Sequence, residues 1–188
     1  GGLKRAWNNE VERLRRRGKS VWSLENEVLQ PALITAATYG ALIAWLGPVI
    51  IPFLGLQMAF GWWQLTSANF IEHYGLLRQK GPDGRYERCR PEHSWNANDI
   101  FSNLILFHLQ RHSDHHANPV RSYQCLRSFE SLPTLPAGYP GMFFLSYFPP
   151  LWRAVMDKRV ITWANGDWSK INLDPAYARR HGLQATPA

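Results

Sequence analysis

Residues 28–71 read "VLQPALITAATYGALIAWLGPVIIPFLGLQMAFGWWQLTSANFI", 44 residues without one Asp, Glu, Lys or Arg. One membrane span takes about 20 mostly apolar residues. The run therefore supplies two, and Gly47-Pro48 is the natural break between them. Helices are expected at 29–46 and 49–72. Pro52 falls in the first turn of the second, where a missing N–H costs no intrahelical hydrogen bond. The alternative is a helical hairpin buried in a soluble protein, but such helices seldom run this far without a charge.

Basic residues lie outside both ends of the run. Arg13, Arg15, Arg16, Arg17 and Lys19 precede it; Arg78, Lys80, Arg85 and Arg88 follow it. The positive-inside rule then puts both ends in the cytoplasm and the tip outside. The leading segment "KRAWNNEVERLRRRGK", 4–19, is charged and periodic, with Val11 and Leu14 on one helix face and Gly18 as a terminator. The chain opens Gly-Gly without a signal peptide, so it is expected to be a processed chain or a piece of a longer one. A net charge of +7 suits nucleic acid, an anionic membrane surface or an acidic protein. Nucleic acid leaves the uncharged run unexplained. The nine Trp agree with a membrane interface. Cys89 and Cys125 are the only cysteines, and no CxxC pair encodes a rubredoxin or zinc ribbon. Two lone thiols fit packing roles in a reducing cytoplasm.

Beyond the apolar run, 79–95 carries Gly-Pro and Asp-Gly turn signals and reads as a polar loop. Residues 96–117 read as a helix, with Asn96 or Asn98 as cap. "SLPTLPAGYPG", 131–141, breaks any helix. "MFFLSYFPPLW", 142–152, is apolar but too short to span, and Pro149-Pro150 interrupts it. A polar tail is expected from Asp157 onward. The whole, 1–188, forms a single partial domain: a cytoplasmic flank at 1–27, a two-span hairpin at 28–72, and a histidine-bearing cytoplasmic region at 73–188.

Four of the seven histidines fall in "FHLQRHSDHHANPVRSYQCLR", 107–127. Taking 104–117 as helix, His112, His115 and His116 stand at about 0°, −60° and +40° around the axis. His108, one turn earlier, shares that face, and Asp114 lies roughly opposite. Clustered imidazoles repel unless neutral or metal-bound. A histidine-only site suits zinc, iron or copper. A zinc hydrolase usually adds a carboxylate base, and the HEXXH form is absent. His73, in "NFIEHYGLLR", 69–78, is an ionisable residue at the end of the second expected span, which marks it as functional. Asn69, Thr66, Leu65 and Trp62 lead to it along one face. They either line a path from lipid to His73 or pack against another helix.

Together, "NFIEHYGLLRQ" and "LQRHSDHHANPVRSYQCLR" resemble the membrane-bound alkane 1-monooxygenases of the fatty-acid desaturase and hydroxylase superfamily. "GRYERCRPEHSWN" and "LPAGYPGMFFLSYFPPLWRAVMD" extend the likeness over roughly residues 4–175. The resemblance implies an all-α integral membrane fold in the inner membrane. This chain would hold the last two transmembrane helices of a six-helix di-iron hydroxylase plus a cytoplasmic helical cap. It implies insertion of one oxygen atom of O2 into the terminal methyl of a medium-chain n-alkane. Electrons would come from NADH through rubredoxin reductase and rubredoxin. It makes His73, His112, His115 and His116 ligands of two iron ions, with Glu72, His108, Asp114, Asn69 and His93 as supporting residues. Arg78, Lys80, Arg85, Arg88 and Arg90 would suit an acidic rubredoxin. The family's first two histidine boxes have no counterpart here. Four of the family's nine ligands cannot close two sites, so the chain alone is expected to be inactive. Alternatives are a xylene-monooxygenase-like hydroxylase, a membrane desaturase, or a non-catalytic histidine-rich metal-binding protein.

Overall fold

The computed structural model describes residues 2–183. Gly1 and the tail residues 184–188 lie outside the described part. The chain divides into two compact units, Gly1–Trp62 and Trp63–Ala188. Eight α-helices occur among the described residues, with isolated β-bridges and no strand.

In the first unit, α1 (Gly2–Arg16) buries Glu10 and Leu14. Gly18, at φ +66°, ends it by letting the Lys19 N–H reach back to the Leu14 carbonyl. Glu10 accepts hydrogen bonds from Arg13 and from the Glu27 N–H, which ties α1 to the loop before α2. Asn26 is fully buried in that loop. Its Oδ1 accepts the N–H groups of Val28 and Leu29, two of the donors a helix start leaves without partners.

Helix α2 (Leu29–Leu46) and helix α3 (Ile51–His73) are joined by Gly47, at φ +77°, and a 3-10 turn, Pro48–Ile50. The break thus falls at Gly47-Pro48. A hydrogen bond from the Tyr39 hydroxyl to Gln57 Oε1 (2.7 Å) links the two helices. Both are long and apolar enough to cross a membrane. No residue of α2 is buried, and Trp45, Val49 and Leu56 are 80, 82 and 71% exposed. Uncovered apolar surface of this extent is unfavourable in water and calls for a cover of lipid or protein.

The second unit has its own core, built from Ile71, Trp95, Leu135, Tyr139, Met142, Trp152, Met156, Val160 and Ile171. Helix α6 (Tyr139–Ser146) packs on α7 (Pro149–Trp163), and the break between them sits before Pro149-Pro150. Trp152, Met156 and Val160 repeat every fourth residue and form the buried stripe of α7. The expected polar tail from Asp157 is therefore corrected: α7 continues past Asp157 to Trp163, with Arg153, Lys158, Arg159 and Thr162 exposed and Asp157 half-buried. Helix α8 (Pro175–Arg180) follows, capped by Asp174.

The expected helix over 96–117 is also corrected. It is two short helices, α4 (Ile100–Ile105) and α5 (His112–Ala117), and the cap of α4 is Asp99 rather than Asn96 or Asn98. Phe107 and His108 lie between them at φ +50° and +58°. The break delivers Gln110 to a fully buried position. There its Oε1 accepts the Tyr139 N–H and its backbone carbonyl accepts the Ala97 N–H. A continuous helix would commit that carbonyl to its own ladder and leave the Ala97 donor unpaired.

Candidate metal centre

Helix α3 stops at His73 because Gly75 follows. Gly75 adopts φ +72°, and the Leu76 N–H closes on the His73 carbonyl. A Cβ on Gly75 would lie 2.7 Å from both methyl groups of Val160, so only glycine lets α7 approach the helix end. Tyr74 anchors the same turn through its hydroxyl, which donates to Asp157 Oδ1 (2.6 Å). Burial and then the Asp157 charge raise the Tyr74 phenol above its ordinary value.

Residues 91–96 hold the end of α3 against α5. The Trp95 N–H donates to the Glu72 carbonyl and its indole N–H to the Tyr74 carbonyl, both at 2.8 Å. The His73 Nδ1–H donates to the His93 carbonyl at 3.1 Å. A carbonyl can only accept, so this contact puts the His73 proton on Nδ1 and the lone pair on Nε2. On the other side, Asn96 Oδ1 accepts the Ser113 N–H (2.9 Å), supplying the second residue of α5 with the acceptor that Arg111 does not provide. The Ser113 hydroxyl is fully buried beside the Pro91 and Ser94 carbonyls.

This frame brings His73, His112 and His116 together, one ring nitrogen of each within 4.8 Å of the others. Ring centroids are 4.3 Å apart for His112 and His116, 5.3 Å for His73 and His112, and 5.2 Å for His73 and His116. Glu72 Oε2 lies 3.2 Å from His112 Nε2, but the contact lacks hydrogen-bond geometry. Both ring nitrogens of His112 and the second oxygen of Glu72 are buried without hydrogen-bond partners. Burial, then the neighbouring imidazoles His116, His73 and His115, push the His112 pKa down to about 3. His116 is lowered in the same way, by burial first. The rings are therefore neutral, with lone pairs aimed at a shared space. Buried polar atoms are costly unless paired, and a cation would pair the free lone-pair nitrogen of His112 and the Glu72 oxygen together. Three imidazoles beside a carboxylate fit iron, zinc or copper.

The other expected site residues stand as follows. His115 adjoins the cluster, its ring 5.8 Å from His112 and 5.6 Å from His116, without sharing the convergent space. His108, displaced by the break before α5, points its Nδ1 at the Tyr123 carbonyl (3.2 Å). It does not share the face of His112. Asp114 is fully buried, but it binds Arg121, Arg127 and Asn118, and so pins the segment after α5 to the helix. Burial alone would raise its carboxyl; the Arg127 bonds hold it below the usual range. Trp62, Leu65, Thr66 and Asn69 are exposed on α3. Sequence reasoning missed Asn96, Ser113 and Tyr139. The Tyr139 hydroxyl, buried beside Glu72, is raised by burial and then by that carboxylate. Polar residues at the edges of "EHSWN" and inside "RHSDHH" were the only available signal for the first two.

An apolar helix ending in a carboxylate and a histidine, with two more histidines from an HxxHH helix, forms a cluster able to hold a metal ion. The chain belongs to the fatty acid desaturase family, whose model matches residues 3–146. It is 61% identical over 190 residues to alkane 1-monooxygenase 1 of Alcanivorax borkumensis, covering 99% of this chain and 47% of that protein. It is 62% identical over 174 residues to an alkane 1-monooxygenase of Pseudomonas putida, covering 93% and 43%. A xylene/toluene monooxygenase hydroxylase component of Pseudomonas putida is 30% identical over 179 residues, covering 93% and 45%. The chain spans less than half the length of these curated relatives.

Proposed function

We propose that this chain carries part of the metal centre and substrate path of an alkane 1-monooxygenase, one that hydroxylates the terminal methyl of medium-chain n-alkanes. The carrying observation is the convergence of His73, His112 and His116 at the end of an uncovered apolar helix. The 61–62% identity to alkane 1-monooxygenases supports the alkane reading over the xylene reading, whose representative stands at 30%.

His73, His112 and His116, with His115 beside them, would supply this chain's ligands to a di-iron centre. Bound iron supplies the O2 activation that no side chain provides. His93, through its carbonyl, keeps His73 Nε2 available. The burial of His112 keeps its imidazole neutral, which leaves one ring nitrogen with a free lone pair. Glu72 is the adjoining carboxylate, and the buried Ile71 and Trp95 lie beside it, in the chain and in the core respectively.

An n-alkane has no dipole and no acidic proton. Its binding rests on apolar burial, about 0.8 kcal/mol per CH2. Leu65, Thr66 and Asn69, with Trp62 a turn further, form the face of α3 that guides a chain from the bilayer toward His73. In this reading α2 and α3 cross the inner membrane, and the flanking basic residues support a cytoplasmic location for the histidines. Hydroxylation by O2 consumes two electrons and two protons beyond those of the alkane, so a donor is required. Rubredoxin, fed by NADH through its reductase, fits this role. Arg78, Lys80, Arg85, Arg88 and Arg90 are exposed and suit an acidic carrier. The test is iron content and octane hydroxylation by membranes containing the whole protein. Iron with 1-octanol as product supports the reading. Turnover of xylene but not octane rejects it.

A further inference from the structure

His93 is almost buried, its side chain 9% exposed, yet it stands outside the imidazole cluster. Both of its ring nitrogens are engaged. Nδ1 accepts the Arg90 N–H at 3.1 Å, which leaves the proton on Nε2. That nitrogen lies 3.3 Å from Glu87 Oε1. A ring occupied on both sides has no lone pair for a metal. Glu87 is itself fastened: it accepts the Gln79 N–H (2.9 Å) and its Oε2 meets Arg90 at 3.1 Å. The link to the centre is the backbone. The His93 carbonyl is the atom that receives the His73 Nδ1–H. Rotating the Pro91–His93 turn would move that carbonyl away. The nearest substitute, Ser94 Oγ, is 3.5 Å from His73 Nδ1, too long for a good bond.

We propose that Glu87 and His93 are a positioning pair for the metal ligand His73, acting through the His93 carbonyl. The pair locks the Pro91–His93 turn, the turn presents the carbonyl, and the carbonyl fixes the His73 ring and its tautomer. Acceptors behind a ligating histidine typically govern metal affinity 10- to 100-fold. The inference rests on the metal-centre reading. A wild-type protein without metal would sink that reading, whereas a metal-loaded wild type with indifferent variants would sink only this one.

The experiment uses the whole protein in membranes. Fe(II) is titrated anaerobically per folded molecule, with Mössbauer spectra of the loaded protein. Glu87→Ala and His93→Asn each should weaken Fe(II) binding roughly tenfold and change the quadrupole splitting of one iron component. Glu87→Gln, which keeps an acceptor oxygen toward His93, should stay near wild type. Because both residues act on one link, the double variant should lose no more than either single one. Glu87→Ala added to His73→Ala should change nothing further. Wild-type affinity and spectra in Glu87→Ala and His93→Asn would overturn the proposal. So would losses that multiply in the double variant, or lower thermal stability with unchanged affinity.

Discussion

Glu72 Oε2 stands 3.2 Å from His112 Nε2, with both side chains nearly sealed from solvent. The carboxylate closes α3 and the imidazole opens α5, so two elements separated by a polar loop and α4 meet at one contact. A carboxylate beside a neutral, unpartnered imidazole is a poor final state for either group. It becomes a good one when a cation sits between them and the rings of His73 and His116.

That geometry separates the histidines into two groups. His73→Ala, His112→Ala and His116→Ala should each lower bound iron in the whole protein at least tenfold and abolish alkane turnover. His108→Ala should leave bound iron unchanged, since that ring faces the Tyr123 carbonyl. Metal analysis of purified variants checks this. Equal retention in His112→Ala and His108→Ala would refute the grouping.

The spacing between the two histidine-bearing helix ends depends on Asn96. Its Oδ1 takes the Ser113 N–H, while its amide is within reach of the Ser94 and Pro133 carbonyls and of Ser113 Oγ. Asn96→Ala strands these partners and should cost about 1–3 kcal/mol. Asn96→Asp restores the acceptor but no donor, so it should not recover the loss. Thermal unfolding of the three proteins decides, and recovery by Asp would show that the donor side is idle.

Asn96 also shows where the sequence stops being legible. The helical pair, the Gly47-Pro48 break and the termination of α3 at HYG depend on local composition and turn chemistry, and each is written in a few adjacent residues. The break before α5 is not local. Apolar residues continue at helical spacing through 100–109, and only the long-range demand of Tyr139 and Ala97 on Gln110 interrupts them. The HxxHH spacing puts His112, His115 and His116 on one helix face; α5 is helical, and it brings the His112 and His116 rings together with His115 beside them. The spacing failed for His108, one turn upstream, where the backbone turns left-handed. The contact that orients His73 was invisible for a different reason: its acceptor is a backbone carbonyl, which every residue possesses.

At the other end of the chain, Glu10 makes a pH prediction. The Arg13 side chain, then the Glu27 N–H, pull its carboxyl from 4.5 down to about 2. A carboxyl depressed on folding stabilises the fold fully above its unfolded value, and that contribution is lost as pH falls through the folded value. Docking of α1 on residues 20–28 should therefore weaken between about pH 4.5 and 2. Hydrogen exchange of the α1 amides should report the loss in that window, and Glu10→Gln should flatten it. Protection that stays constant down to pH 2 would reject the tie.

Leu65 lies eight residues before His73 on α3, about 12 Å along the axis, and Trp62 about 16 Å. Both are largely exposed, at 71 and 69%. If alkanes travel along this face, the side chain at each position limits how much chain fits behind a methyl held at the centre. Leu65→Trp should then shift the products toward shorter alcohols, because the block comes nearer the metal. Trp62→Ala should shift them toward longer ones, because it opens the far end. The opposite directions matter: general damage to the enzyme would lower all products together. Membranes given a mixture of n-alkanes, with alcohols resolved by gas chromatography, measure both shifts at once. An unchanged distribution in both variants would mean that this face of α3 packs against protein or lipid and takes no part in guiding substrate.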